Sequence, residues 1–152
     1  MIDGARFVHV NLVARDWKRL AAFYEQVFGC EQVGPERDLA GAWLEKGTGV
    51  PGAAIRGVHL RLPGEGPDGP TVEIFQYNQL EHGDAPAVNR PGWAHIAFAV
   101  QDVAQARREV LEAGGGEVGQ TVTLDVPGAG QVTFAYLTDP EGNIIELQQW
   151  HR

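Results

Sequence analysis

Cysteine is almost missing from this chain of 152 residues: Cys30 is the only one. A lone cysteine excludes a disulfide framework within the chain and a cysteine-based zinc site. Long apolar runs are missing too. None approaches the roughly 18–20 residues that a membrane-crossing helix needs. The opening "MIDGARF" has an aspartate early and no extended apolar region, so it does not read as a secretory signal. A cytoplasmic protein is the default expectation. Basic residues are scarce, 12 Lys and Arg against 20 Asp and Glu, for a formal charge of −8. Without a basic cluster, nucleic acid and anionic membrane surfaces are poor partners; the charge says little about small substrates, because a pocket can be locally basic in an acidic protein. What is present in quantity is apolar: 43% of the residues are hydrophobic, enough for one globular domain or two small halves sharing a core.

The chain repeats a plan. "RFVHVNLVARD" (6–16) and "GWAHIAFAVQD" (92–102) are short apolar runs, and each carries a histidine seven residues before an aspartate. After Asp16, Leu20, Phe23, Tyr24, Val27 and Phe28 recur at helical spacing; after Asp102, Val103, Ala106, Val110, Leu111 and Ala113 do the same. Asp16 and Asp102 suit helix N-caps. Gly29 and Gly115 lie 20 residues past His9 and His95 and suit left-handed C-terminal caps. Later strands are expected at 53–62, 70–77, 130–137 and 143–150, the last two joined by the turn "TDPEGN". Residues 34–52 read as a short strand plus a mobile loop. The whole of 1–152 is thus expected to form one domain, with a first module over about 5–80, a linker over about 78–92 and a second module over about 92–150.

Side chains alternate faces along a strand. Val8, Val10 and Leu12 therefore oppose His9 and Asn11. Ala94, Ile96, Phe98 and Val100 oppose Trp93, His95 and Ala97. Val72 and Ile74 oppose Glu73 and Phe75, and Ile145 and Leu147 oppose Glu146. The first and last strand of each half thus set one ionisable residue opposite the apolar, helix-packing side. The order is His9, Glu73, His95, Glu146, with a separation of 64 positions in the first half and 51 in the second. The longer loop of the first half accounts for the difference. If a pseudo-twofold relates the halves, two imidazoles and two carboxylates form a site for a divalent first-row ion such as nickel, cobalt, zinc, iron or manganese. In the third strand His59 and Arg61 share the ligand face, with Asn11, Phe75 and Trp93, and these are candidate pocket residues. Trp43, in "AWLEKGTG", is a candidate lid residue.

Taken together, "RFVHVNLVARD", "AAFYEQVFG", "VEIFQY", "GWAHIAFAV" and above all "DPEGNIIEL" make the chain resemble the vicinal oxygen chelate superfamily of glyoxalase I, methylmalonyl-CoA epimerase, extradiol dioxygenases and bleomycin-resistance proteins. The resemblance implies an α+β fold of two tandem βαβββ modules whose curved mixed sheets form a metal-binding cup. It places the metal ligands at His9, Glu73, His95 and Glu146, with Glu146 and Glu73 as the catalytic carboxylates. The set His-Glu-His-Glu is similar to bacterial glyoxalase I. It implies a metal-dependent lyase or isomerase that chelates neighbouring oxygens of a small substrate and moves a proton through a metal-stabilised enediolate. Epimerase, extradiol-type dioxygenase and non-catalytic antibiotic-binding protein are the alternatives. The superfamily also implies a homodimer. Glyoxalase I commonly has an arginine four residues after the first histidine, where this chain has Val13, and an asparagine where it has Tyr77. The epimerase's extra glutamate falls near Arg56. The glutathione residues are therefore not matched.

Overall fold

The structure is a computed structural model that describes residues 2–151; the two end residues of the expected 1–152 domain lie outside it. It divides into two compact units, Met1–His82 and Gly83–Arg152, and the boundary falls within the stretch read as a linker.

The first unit runs β1 (His9–Val13), α1 (Trp17–Phe28), β2 (Glu31–Gln32), β3 (Arg37–Ala40), α2 (Ala42–Thr48), β4 (Ala54–Arg61) and β5 (Thr71–Tyr77). Its mixed sheet has the order β1-β5-β4-β2, and β3 also pairs with β4. Only β1 and β5 are parallel; the other pairings are antiparallel. At the start of α1 the Asp16 side chain accepts from the Arg19 N–H at 3.1 Å, and at its end Gly29 takes the left-handed conformation with φ 65°. A helix of this length is marginal alone in water. It is held by its apolar face, where Leu20 and Tyr24 are fully buried and Phe23 nearly so. Each such side chain contributes about 1.5–3 kcal/mol of burial, more than the cap. The helix packs on β4 and β5, over Val58, Leu60, Val72 and Ile74.

The short strand expected within 34–52 is β3, but the mobile loop expected with it is corrected: the seven-residue helix α2 follows β3. Gly41, Gly47 and Gly49 hide the helix by diluting its pattern, but Gly49 ends it in a left-handed cap (φ 71°) and Leu44 anchors it. Leu44 buries with Ala53 and Ile55, and Leu39, Val50, Phe75 and Tyr77 pack around them.

The second unit runs β6 (His95–Ala99), α3 (Val103–Glu112), β7 (Gly116–Glu117), β8 (Val122–Val126), β9 (Gly130–Thr138) and β10 (Ile144–His151). Its sheet has the order β6-β10-β9-β7, with β8 also on β9; β6 and β10 are parallel. Asp102 caps α3 by accepting from the Gln105 N–H at 3.0 Å. The expected left-handed cap at Gly115 is corrected. Gly114 takes the positive φ, 95°, and Gly115 does not. Gly115 answers a different need: a Cβ there would sit 2.4 Å from the Thr138 carbonyl oxygen and 2.6 Å from Val110 Cγ1, so only glycine lets the chain cross β9. Each unit thus has the βαβββ plan expected from the sequence, elaborated by short strands and, in the first, by α2.

The β9–β10 hairpin is fixed from inside. Asp139 is buried, and its Oδ1 accepts from the Glu141 and Asn143 backbone N–H groups at 2.9 and 3.0 Å. Its Oδ2 accepts from Asn143 Nδ2 at 2.8 Å. This Asx-type turn, with Gly142 at φ 91°, sets where β10 begins and hence where Glu146 falls.

Candidate functional site

In the first unit, register brings three polar residues into one cross-strand row: Asn11 on β1, Glu73 on β5 and His59 on β4. Glu73 is the centre of the row. Its Oε1 lies 3.5 Å from His9 Nε2 and 3.4 Å from His59 Nε2, and its Oε2 accepts from Asn11 Nδ2 at 3.3 Å. The rings of His9 and His59 meet edge to face at 6.4 Å, and Phe75 lies 5.6 Å from His59. Phe75 fills the space over Gly57, where a Cβ would come within 2.8 Å of the ring. Burial is the main cause that pulls the His59 imidazole below its ordinary 6.5. The charges of Arg37 and His9 act in the same direction, and Glu73 opposes them. Arg61 stands on the same face, one row away, and pairs with Glu31 at 3.5 Å.

The second unit repeats the pair. His95 Nε2 lies 3.0 Å from Glu146 Oε2, and Glu146 is buried. Its other oxygen accepts from Gln148 Nε2 at 3.0 Å, and Gln148 in turn accepts from Trp150 Nε1 at 3.3 Å. Tyr136 is directly opposite Glu146 in register, the position that His59 holds opposite Glu73. Its ring meets His95 at 5.2 Å, and burial first, then the Glu146 carboxylate, raises the phenol above its ordinary value. Tyr136 was not among the residues selected from sequence, although strand alternation from Leu137, which is buried, puts it on the Glu146 face.

The structure therefore brings together His9 with Glu73, and His95 with Glu146, and adds Asn11, His59 and Phe75 to the first pair. Trp93 lies before β6 and is 99% exposed; Trp43 is on α2 and 60% exposed. Neither packs into its unit's core. Tyr77 belongs to the apolar cluster around Leu44, and Asn78 clamps the turn before β4 by donating to the Gly52 carbonyl and accepting from the Ala54 N–H. Tyr77, which stands where glyoxalase I commonly has asparagine, and its neighbour Asn78 thus both have structural work.

His9 and His59 share one oxygen of Glu73, and among the described residues no group of three or more His, Cys, Asp or Glu side chains is arranged to hold a metal ion. Each unit supplies one imidazole–carboxylate pair. Imidazole nitrogen and carboxylate oxygen without thiolate suit a divalent first-row ion, so the donors fit such a group chemically.

The family model Glyoxalase/Bleomycin resistance protein/Dioxygenase superfamily matches residues 6–147, and the chain belongs to that superfamily. A glyoxalase family protein from Bacillus cereus shares 17% identity, with 100% of this chain and 99% of that one covered at a TM-score of 0.82. A fosfomycin resistance protein, FosX, from Listeria monocytogenes, solved with Mn(II) and 1S,2S-dihydroxypropylphosphonic acid, shares 16% identity, with 99% and 95% covered at a TM-score of 0.56. An enzyme of the same broad family from Burkholderia phytofirmans shares 17%, with 97% and 100% covered at 0.59. No curated protein matches. These likenesses show the fold.

Proposed function

We propose that this chain is a metal-dependent enzyme of glyoxalase-like lyase or isomerase type, acting on a small substrate with two neighbouring oxygens. The observation that carries the reading is the repeated pair. In each unit a histidine from the first strand meets a glutamate from the last, on the sheet face opposite the helix. His9, Glu73, His95 and Glu146 would hold one divalent ion, and the Mn(II) of the Listeria structure supports an ion of that class. When bound, such an ion polarises the substrate's oxygens and makes a neighbouring C–H more acidic. Glu146 takes that proton. It is the more buried carboxylate, and Gln148 donates to its Oε1, leaving Oε2 toward His95. Positioned proton transfer of this kind contributes about 10²–10⁴-fold in rate. Glu73, held by Asn11 and both imidazoles, keeps its geometry and serves as a ligand.

Elemental analysis of protein purified without a histidine tag, with melting curves in added nickel, cobalt, manganese, iron and zinc, tests the reading. One bound ion per chain and a raised melting temperature are expected. His9→Ala or His95→Ala should abolish both, whereas Glu146→Gln should spare most of the metal binding and remove proton exchange between substrate and deuterated solvent. No metal and no thermal shift with any ion would defeat the proposal.

A further inference from the structure

Among the described residues, Arg37 is the one cation of β3 and β4 with no carboxylate within ion-pair distance. Arg56 pairs with Asp38 on the far face of the sheet, at 3.8 Å, and Arg61 pairs with Glu31. Arg37 has no such partner among the described residues. Its register partner is Gly57, and residues directly opposite in an antiparallel pair share a face, so Arg37 stands on the face of His59 and Glu73, one row from them. Gly57 itself has no side chain, and the Phe75 ring fills the space over it. The guanidinium lies over Gly34 in the β2–β3 turn, where a Cβ would sit 3.7 Å from Nη2.

Arg37 is half-buried. A guanidinium carries five donors and no acceptor. Partial burial strips water from it, and none of the described residues replaces that water with an anion. Glu73, the carboxylate one row away on this face, is already engaged by His9, His59 and Asn11. A ligand oxyanion with two coplanar oxygens matches the free fork. Beside Arg37 on the same strand face, Leu39 enters the apolar cluster of Leu44, Ile55 and Phe75.

We propose that Arg37 is a specificity-determining residue that binds the anionic group of the substrate, a carboxylate or a phosphate-type oxyanion, with the apolar body of that substrate against Phe75 and its neighbours. This rests on reading the His59–Glu73 face as half of the site.

The test uses chelator-treated, ¹⁵N-labelled protein titrated with inorganic phosphate, with mandelate and with neutral mandelamide, reading amide shifts on β3 and β4. Without metal, the result is independent of whether the ion site is correctly assigned, and the metal-content measurement is independent of this one. One of the two anions should saturate shifts at residues 37, 57 and 59, and which one does so separates carboxylate from phosphate. Arg37→Gln should weaken that binding about tenfold or more, as expected for a lost charge-assisted hydrogen bond. Arg37→Lys, which keeps the charge and the stem, should weaken it several-fold by losing the fork. Arg56→Gln, on the opposite face, should leave it within about twofold. Saturation by neither anion, equal binding of mandelamide, or wild-type affinity in both Arg37 variants would overturn the assignment.

Discussion

His59 was selected from strand alternation alone, and the structure adds what alternation does not carry, its environment. Half-buried beside Phe75, with Arg37 and His9 adding positive charge and Glu73 opposing them, the imidazole is pulled below its ordinary 6.5. The folded protein then binds fewer protons at this residue than the unfolded chain does. Stability is therefore fully present above about pH 6.5 and is lost as pH falls from there toward the lowered folded value. Urea unfolding of chelator-treated protein between pH 7.5 and 5.5 should show a falling midpoint that flattens in His59→Gln; identical pH profiles would show that His59 is not responsible. Val13 belongs to the same scale. It is exposed on β1 where glyoxalase I commonly has arginine, so it offers no charge to a glutathione carboxylate. Turnover of the glutathione–methylglyoxal hemithioacetal should be weak or absent, and glyoxalase-like rates would refute this. Tyr136 marks where reading stopped short. The alternation that found His59 opposite Glu73 also finds Tyr136 opposite Glu146, but a tyrosine in an apolar strand looks like core until its register partner is known.

At the scale of elements, the sequence is most legible where hydrophobic period and cap chemistry agree. Asp16 with Leu20, Phe23 and Tyr24 announces α1, and Asp102 with Val103 and Val110 announces α3. The second helix of the first unit was illegible because three glycines in and around seven residues mask any period, and its stability comes from Leu44 docking on Ile55 and Ala53. β8 was missed as well. Val122–Val126 is short, mostly exposed and held through β9 alone, so burial left no mark on its composition. The hairpin between β9 and β10 was legible as a turn, but its cause was not. Asp139 is buried and accepts two backbone N–H groups and one side-chain N–H across that turn. Asp139→Ala strands those donors, and a buried donor left unpaired costs about 1–3 kcal/mol. Chemical denaturation should show a loss of at least that size, and a change smaller than about 0.5 kcal/mol would mean that the turn holds without its aspartate.

At the scale of the whole molecule, the repeated plan explains why weak signals became readable together. His9 and His95, Asp16 and Asp102, and Glu73 and Glu146 each look ordinary singly, and the structure places the members of each pair at the same point of the same βαβββ plan. What the described strand pairings leave open is the outer edge of each sheet. Among the described residues β1 pairs only with β5, and β8 pairs only with β9. β8 presents Val122 and Leu124 at 43% and 41% exposure beside its open edge. It carries neither proline nor lysine, and its one charge, Asp125, is engaged by Gln131 of the neighbouring strand β9. An unguarded edge with apolar neighbours is stable in solution when a second copy covers it, so the chain should be a homodimer joined at least in part through β8. Light scattering at micromolar concentration should give twice the mass of one chain. The double substitution Val122→Lys with Leu124→Lys, which puts charge at that edge while leaving the buried residues of β9 alone, should shift the species to monomer and keep the circular dichroism of the folded protein. A wild-type monomer, or a dimer indifferent to both lysines, would place the association elsewhere or nowhere.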